Sequence, residues 1–421
     1  MKRFMTSIAT KTASMASKKT LYIIGKDQAT SVKISSDLSK LPQLMEDLQI
    51  STSLAPSTPD NSTPYQHLNQ FSTDRYKSGL NTKIIGQNLL YSPLLQSTQT
   101  VMQDVNNVVP TGTVCVADQQ TAGRGRGSNA WYSPPGCLLF SFTFSTKNGG
   151  NLPFAQYLLS LALVKAVRAM PNCNTIPVKI KWPNDIYAEQ TVQESVPVDT
   201  EELKTNNTAS TTGTGTSTTT PTPLTTSTAN TDTTSSNETK IAATTEYSSF
   251  VLPPKHGHYS KIGGVLCESS YDYNTKSFIV IAGIGLNVTN TTPTTCLKSL
   301  SGDNENIICR ETVLSSFFNE FEPMLEEFNV TGFNNDIKNN YVKEWLHSGQ
   351  NVTVCDLNGR RKEGKPAPSC EDNDEDRSEV TIIGIAESSG LLAIDSKGRQ
   401  FELLPDGNSF DFLKGLIKRK I

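Results

Sequence analysis

Gly123-Arg124-Gly125-Arg126-Gly127, preceded by Gln119-Gln120-Thr121-Ala122 and followed by Ser128-Asn129-Ala130-Trp131, is the stretch from which the rest of the chain can be read. Its glycines let backbone amides approach a ligand closely and allow positive φ at little steric cost. The two arginines add permanent charge and forked donors suited to a carboxylate or a phosphate. Directly before it lies a strand-like run, Thr113-Val114-Cys115-Val116-Ala117. A glycine-arginine loop leaving a strand is an anion-holding corner. The competing reading is a short arginine-glycine segment of the kind found in RNA-binding tails.

Three further corners lie outward from this one. Lys181-Trp182-Pro183-Asn184-Asp185 ends an alternating run over 178–182. Lys261-Ile262-Gly263-Gly264-Val265-Leu266 and Gly283-Ile284-Gly285-Leu286-Asn287 belong to two β-rich runs, read as adjacent antiparallel strands. Each corner adjoins a strand, so all four are expected to meet along one edge or face of a mixed sheet. Lys181 and Lys261 add charge beside the two arginines, which makes an anion cradle suited to a phosphate or an activated carboxylate. None of the chain's four histidines falls in these corners, so no Ser-His-Asp or Cys-His pattern is visible. Bland readings stand beside these: Trp131 and Trp182 as core, Asp185 as a turn residue, Gly283 and Gly285 as strand bends.

Around the corners the periodicity predicts a strand at 83–90 and a helix through Val101, Met102 and Val105. Ser97 or Thr98 can serve as its N-cap. A strand at 138–144 and a helix over 154–170 follow. The stripe Val313, Leu314, Phe317, Phe318, Phe321, Leu325 and Phe328 predicts a core helix, with a second over 336–345. Short strands at 352–354, 380–385, 391–394 and 401–404 suit a small antiparallel barrel, with the acidic run 371–379 as a solvated hairpin loop.

The N-terminal part is less informative. Residues 1–19 carry five Lys or Arg and no acid, which suits a mitochondrial transit segment as well as a frayed terminus. A strand at 21–24 and a short helix over 38–48 precede a Ser/Pro/Asn-rich linker at 51–62. From 189 to 254 Thr, Ser and Asn dominate. That segment holds too little apolar content to offset an ordering entropy of about 1–2 kcal/mol per residue, and it reads as a disordered insertion in a surface hairpin.

The chain's hydrophobic content is 36% and its formal charge is −3, which gives no global electrostatic case for nucleic acid or membrane. No run of 18 apolar residues predicts a membrane span. Eight scattered cysteines without a Cys-x-x-Cys pair read as free thiols. His256-Gly257-His258 lacks a nearby third metal ligand.

The four corners in this order, with Trp131, Ile186-Tyr187 and Val288 beside them, resemble biotin–protein ligases, especially the eukaryotic holocarboxylase synthetase type. Asp406-Gly407-Asn408-Ser409-Phe410-Asp411 adds a further likeness, and the resemblance spans about 70–188 and 259–418. It implies an α+β fold: a mixed, largely antiparallel sheet with helices, of the class II synthetase-like type, plus a small C-terminal SH3-like β-barrel. The implied division is a terminal segment (1–20), an N-terminal extension (21–80), a catalytic domain (81–345) interrupted at 189–254, and the barrel (346–421).

The reaction implied is attack of biotin's carboxylate on the α-phosphate of Mg-ATP, giving biotinyl-5′-AMP. Transfer to a lysine on a carrier domain follows. ATP, Mg2+ accompanying it and biotin are the expected cofactors and substrate. The expected acceptors are acetyl-CoA, propionyl-CoA, pyruvate and methylcrotonoyl-CoA carboxylases. Carried over by position, Ser97, Thr98 and Gln120 fall on biotin contacts. Gly123, Arg124, Gly125, Arg126 and Gly127 fall on the loop over biotin and the adenylate phosphate. Lys261 matches the lysine at the reacting carboxylate and phosphate, and is the leading catalytic residue, with Arg126 beside it. Gly263, Gly264 and Val265 match the strand lining the biotin ring. Trp131 and Asn287 fall on the nucleotide side, with Asn184 and Asp185 near the reacting centre. Gln99 departs from the Asn usual in bacterial members.

No helix-turn-helix pattern precedes residue 80, so a DNA-binding role is not expected. Lipoate–protein ligases and octanoyltransferases share the implied fold. The glycine-arginine loop with Trp131 and the 181–185 segment argue against them. The expected location is the cytoplasm, with the mitochondrion added if residues 1–19 act as a transit segment.

Overall fold

A computed structural model describes residues 18–53, 70–127, 129–190, 258–302, 307–355, 377–404, 408–411 and 416–419. Nine strands form one sheet: β1 (Lys19–Ile24), β2 (Leu48–Ser51), β3 (Leu89–Leu95), β4 (Val114–Gln120), β5 (Cys137–Thr146), β6 (Val178–Lys181), β7 (Asp185–Gln190), β8 (His258–Asp272) and β9 (Ser277–Asn287). Their order is β2-β1-β3-β4-β5-β9-β8-β7-β6. The β1–β2 and β3–β4 pairs are parallel and the others antiparallel.

The longer helices packed on it are α1 (Gln28–Leu38), α2 (Pro42–Asp47), α3 (Thr73–Gly79), α4 (Thr98–Val105), α5 (Ala155–Ala169), α6 (Arg310–Thr331) and α7 (Asn335–Glu344). Strand alternation divides the core between two faces. On β4, Val114 and Val116 join the cluster beneath α5 and α6, whereas Cys115 and Ala117 join the one beneath α1, α2 and α4. The first face is aromatic: Phe140, Phe142 and Phe144 of β5 meet Phe317, Phe318 and Phe321 of α6, mostly edge to face. The predicted Phe stripe is therefore core. With the 3-10 turn before it, α5 is long and apolar enough to cross a bilayer (Gly149–Ala169). Here its apolar residues are buried between the sheet and α6.

A second, six-stranded sheet follows: β10 (Asn351–Cys355), β11 (Arg377–Ile385), β12 (Leu391–Asp395), β13 (Gln400–Leu403), β14 (Asn408–Asp411) and β15 (Leu416–Arg419). Its order is β13-β12-β11-β10-β15-β14, antiparallel except for β10–β15. It is the counterpart of the expected small C-terminal barrel. Val352, Val354, Val380 and Ile382 continue the main core without a break.

Four boundaries differ from the sequence reading. The strand expected at 83–90 begins at Leu89. Before it, the Glu322 carboxylate of α6 accepts the amides of Lys83 (2.6 Å), Ile84 (2.8 Å) and Ile85 (2.9 Å). Those amides turn toward a side chain from 237–239 residues away instead of a ladder, and Gly86 at φ +78° completes the turn. Residues 19–51 supply the two outermost strands at one end of the main sheet, β2 at the edge and β1 inside it, and α1 occupies a stretch given no element. The insertion starts later than 189, since Gln190 still pairs with His258. Arg377–Glu379 of the expected acidic loop begins β11.

Residues 1–17 of the expected transit segment, most of the 51–62 linker, the insertion from 191, His256-Gly257, residues 371–376, Cys370 and Asp406-Gly407 lie outside the described residues. Among the described cysteines, Cys115, Cys137, Cys173 and Cys296 are buried and Cys267 and Cys309 partly so, all free. Burial pushes the Cys137 and Cys267 thiols up to about 12, which keeps them protonated and inert.

Candidate active site

The site begins where β3 passes into α4. Ser97 occupies the N-cap position in extended backbone, yet its hydroxyl makes no capping bond. Gln120, at the end of the neighbouring β4, caps the helix: its Oε1 accepts from the Thr98 amide at 2.7 Å and from Thr98 Oγ1 at 3.2 Å. Thr98 Oγ1 also lies 2.9 Å from Ser141 Oγ on β5. Because Gln120 does the capping, the Ser97 hydroxyl is left buried and without a partner, a state that favours a ligand contact.

After β4 the glycine-arginine stretch folds as a short hairpin. Gly125 N donates to Asn129 O (2.8 Å), Trp131 N to Gly123 O (2.9 Å), and Arg124 bridges Ala130. Gly123 is required at the neck, where a Cβ would stand 2.5 Å from the Trp131 carbonyl. Gly127 carries the left-handed φ of +63° at the tip. The hairpin lays the Trp131 indole flat over β9, against Gly285. A Cβ there would approach the ring to 2.6 Å, so the glycine creates the seat.

The remaining corners come together through strand register. One row across the sheet runs Asp185–Gly264–Gly285–Leu139–Ala117. It brings the carboxylate of β7 beside the two glycines. Lys261 Nζ meets Asp185 Oδ1 at 2.6 Å and stands 5.9 Å from the Trp131 ring centroid. Lys181 Nζ lies 3.9 Å from Asp185 Oδ2. Asn184, nearly buried, donates from Nδ2 to Val265 O (2.7 Å) and accepts from Arg126 Nη1 (3.4 Å), which ties the hairpin to the 181–185 corner.

That corner, whose Trp182-Pro183 peptide is cis, is braced from behind. Trp182 N donates to His347 Nε2 at 2.9 Å, and Trp182 Nε1 to Tyr157 OH at 2.8 Å. Tyr157 OH in turn donates to the Ser389 carbonyl of the C-terminal sheet. Since Nε2 accepts, Nδ1 carries the proton and donates to Gln350 Oε1 (2.8 Å). Burial pushes the His347 imidazole down to about 3, so it is neutral at physiological pH.

Together these elements enclose a cavity of about 460 Å³. Thirteen of the sixteen site residues expected from the sequence line it: Ser97, Thr98, Gln120, Arg124–Gly127, Trp131, Asn184, Asp185, Lys261, Gly264 and Val265. Three do not. Gly123 holds the hairpin neck, and Gly263 packs against Leu286 and Ile186 on the opposite face. Asn287 is turned to the loop after β9, donating to Thr294 Oγ1 (3.0 Å) and the Thr295 carbonyl (3.2 Å). Strand alternation and this loop explain both positions. Among lining residues without an assigned site role are Gln99, in the first turn of α4, and Ser141 and Gly283, short residues on β5 and β9.

Four cationic side chains, Arg124, Arg126, Lys181 and Lys261, face the cavity with Asp185 as the only carboxylate among the described lining residues. Of four buried polar atoms without a partner among the described residues, three belong to lining residues: Ser97 Oγ, Gln99 Oε1 and Trp131 Nε1. The arrangement can hold an elongated ligand, with neutral hydrogen-bonding groups at one end and anions in the cationic cradle. No cluster of three or more His, Cys, Asp or Glu suited to a metal occurs among the described residues.

Residues 91–194 match the model of the Biotin/lipoate A/B protein ligase family. The chain is 33% identical over 362 residues to biotin–protein ligase 1, chloroplastic, of Arabidopsis thaliana, covering 84% of this chain and 75% of the relative. It is 32% identical over 360 residues to biotin–protein ligase 2 of the same plant, covering 83% of each. A biotin protein ligase from Aquifex aeolicus, solved with biotin and ATP, aligns over 75% of this chain and 95% of its own, at 21% identity and a TM-score of 0.44. Sequence similarity of this extent means that the chain belongs to the biotin–protein ligase family.

Proposed function

We propose that this cavity is where biotin is activated by ATP to biotinyl-5′-AMP, and where the activated acyl group is passed to a lysine ε-amine. The observation that carries this reading is the concentration of unpaired polar atoms and cationic side chains in one cavity. On this reading Ser97 and Thr98 hold the ureido end. Lys261 and Arg126 are the residues assigned to the reacting carboxylate and α-phosphate. Two anions repel, and cations already in place offset that repulsion without reorganising during the reaction. The Trp131 face offers a surface for the adenine ring. Mg2+ is the ion expected to accompany the triphosphate. Keeping water from the mixed anhydride is the task assigned to the hairpin closing over it.

The acceptors are biotin-dependent carboxylases, and the acetyl-CoA, propionyl-CoA, pyruvate and methylcrotonoyl-CoA enzymes are the candidates. Purified protein given biotin, Mg-ATP and a biotin-carrier domain is expected to transfer labelled biotin to that domain. Transfer of lipoate in place of biotin would overturn the reading.

A further inference from the structure

Gln99, in the first turn of α4, is 3% exposed and lines the cavity. Its Nε2 donates to Glu268 Oε2 at 2.8 Å and to the Ile281 carbonyl at 3.2 Å. Turning the amide over would set its oxygen against two oxygens, so these acceptors fix its orientation. Oε1 is thereby directed over β9, where it is buried and has no hydrogen-bond partner. The space it uses exists because residue 283 is glycine: a Cβ there would come within 2.5 Å of Oε1. A buried acceptor without a donor is costly until one arrives. The missing donor is a neutral N–H brought by the ligand.

Glu268 is the hub behind this acceptor. Alternation along β8 carries Gly264, Leu266 and Glu268 onto one face. Its Oε2 also accepts from Gln103 Nε2 at 2.7 Å, and its Oε1 from Arg124 Nη2 at 2.8 Å. Arg124 Nη1 closes the ring by donating to Gln103 Oε1 at 2.7 Å. One carboxylate therefore sets both an amide on the cavity floor and the first arginine of the hairpin.

We propose that Gln99 determines specificity by accepting a hydrogen bond from a ligand ring N–H, and that Glu268 is the positioning residue that aims it. The inference rests on the biotin reading: the cyclic urea of biotin carries two N–H groups, whereas lipoyl and octanoyl groups carry none.

Biotin-dependent pyrophosphate exchange by the full chain tests it. Gln99→Met, which keeps the bulk and removes the acceptor, is expected to raise KM for biotin about tenfold. KM for ATP should be unchanged and kcat kept within about threefold. Glu268→Gln is expected to act in the same direction, because an amide cannot accept from the Gln99 and Arg124 sides at once. The double variant's loss in biotin KM should fall well short of the product of the single losses, since Glu268 acts through Gln99. An unchanged biotin KM in Gln99→Met, or fully multiplicative losses, would overturn the proposal. So would equal losses for biotin and ATP with a lowered Tm, the mark of a merely structural role. If the unsubstituted protein exchanges pyrophosphate with lipoate and not with biotin, it is the biotin reading that fails.

Discussion

At the residue scale, Lys261 and Arg126 differ in what holds them. Lys261 pairs with Asp185 at 2.6 Å but remains 42% exposed, so its removal disturbs little packing. Arg126 contacts Asn184 through a long 3.4 Å bond. Both line the cavity, and neither belongs to the hydrophobic core. Lys261→Ala and Arg126→Ala are each expected to slow adenylate formation at least about a hundredfold, or about 2.7 kcal/mol in the barrier, with Tm nearly unchanged. Pyrophosphate exchange beside a thermal melt separates the two quantities. Near-normal exchange in either variant removes that residue from its role.

Among the elements, α6 does more than cover the sheet. Its Phe stripe interlocks with β5, and Glu322, next to Phe321, orders the segment that leads into β3. Three amides accepted by one nearly buried carboxylate form a charge-assisted cap between segments more than 230 residues apart. Glu322→Ala leaves those donors unsatisfied and is expected to destabilise the fold by about 3 kcal/mol, read as a lower urea midpoint. Glu322→Gln, which retains one acceptor oxygen, should lose less. Equal midpoints for Glu322→Ala and the unsubstituted protein would show that water replaces the carboxylate.

For the whole molecule, His347 links the two sheets. It lies between α7 and β10 and accepts the Trp182 amide behind the 181–185 corner. Protonation would set an N–H against that N–H, which, beside burial, opposes the charged form. Its folded pKa of about 3 lies below the ordinary 6.5. As pH falls the unfolded chain therefore takes up the proton first. The contribution is complete above pH 6.5 and is lost progressively toward pH 3. From pH 7.5 to 5 this group alone is expected to remove about 2 kcal/mol of stability. His347→Gln, which keeps an acceptor for the Trp182 amide, should flatten that slope. A slope as steep in the variant would assign the acid sensitivity elsewhere.

The four corners, the Phe helix and the small C-terminal sheet were legible because each is a local matter. Period 2 or 3.6, glycine spacing and charge type are written in consecutive residues. That sufficed to expect an anion cradle on a mixed, largely antiparallel sheet. Where each side chain points was settled by contacts between distant segments. Asn287 has the position of a nucleotide contact in the sequence, but its amide bonds the following loop. Lys83 to Ile85 read as strand and are turned by Glu322. Gln120 caps α4 and so releases Ser97, and Glu268 turns Gln99. Sequence by itself determined which residues could carry charge, bend the backbone or fill a core. Only the tertiary structure decided which polar atoms were satisfied within the protein and which were left for a ligand, because a hydrogen bond belongs to a pair of atoms and the partner here comes from another element.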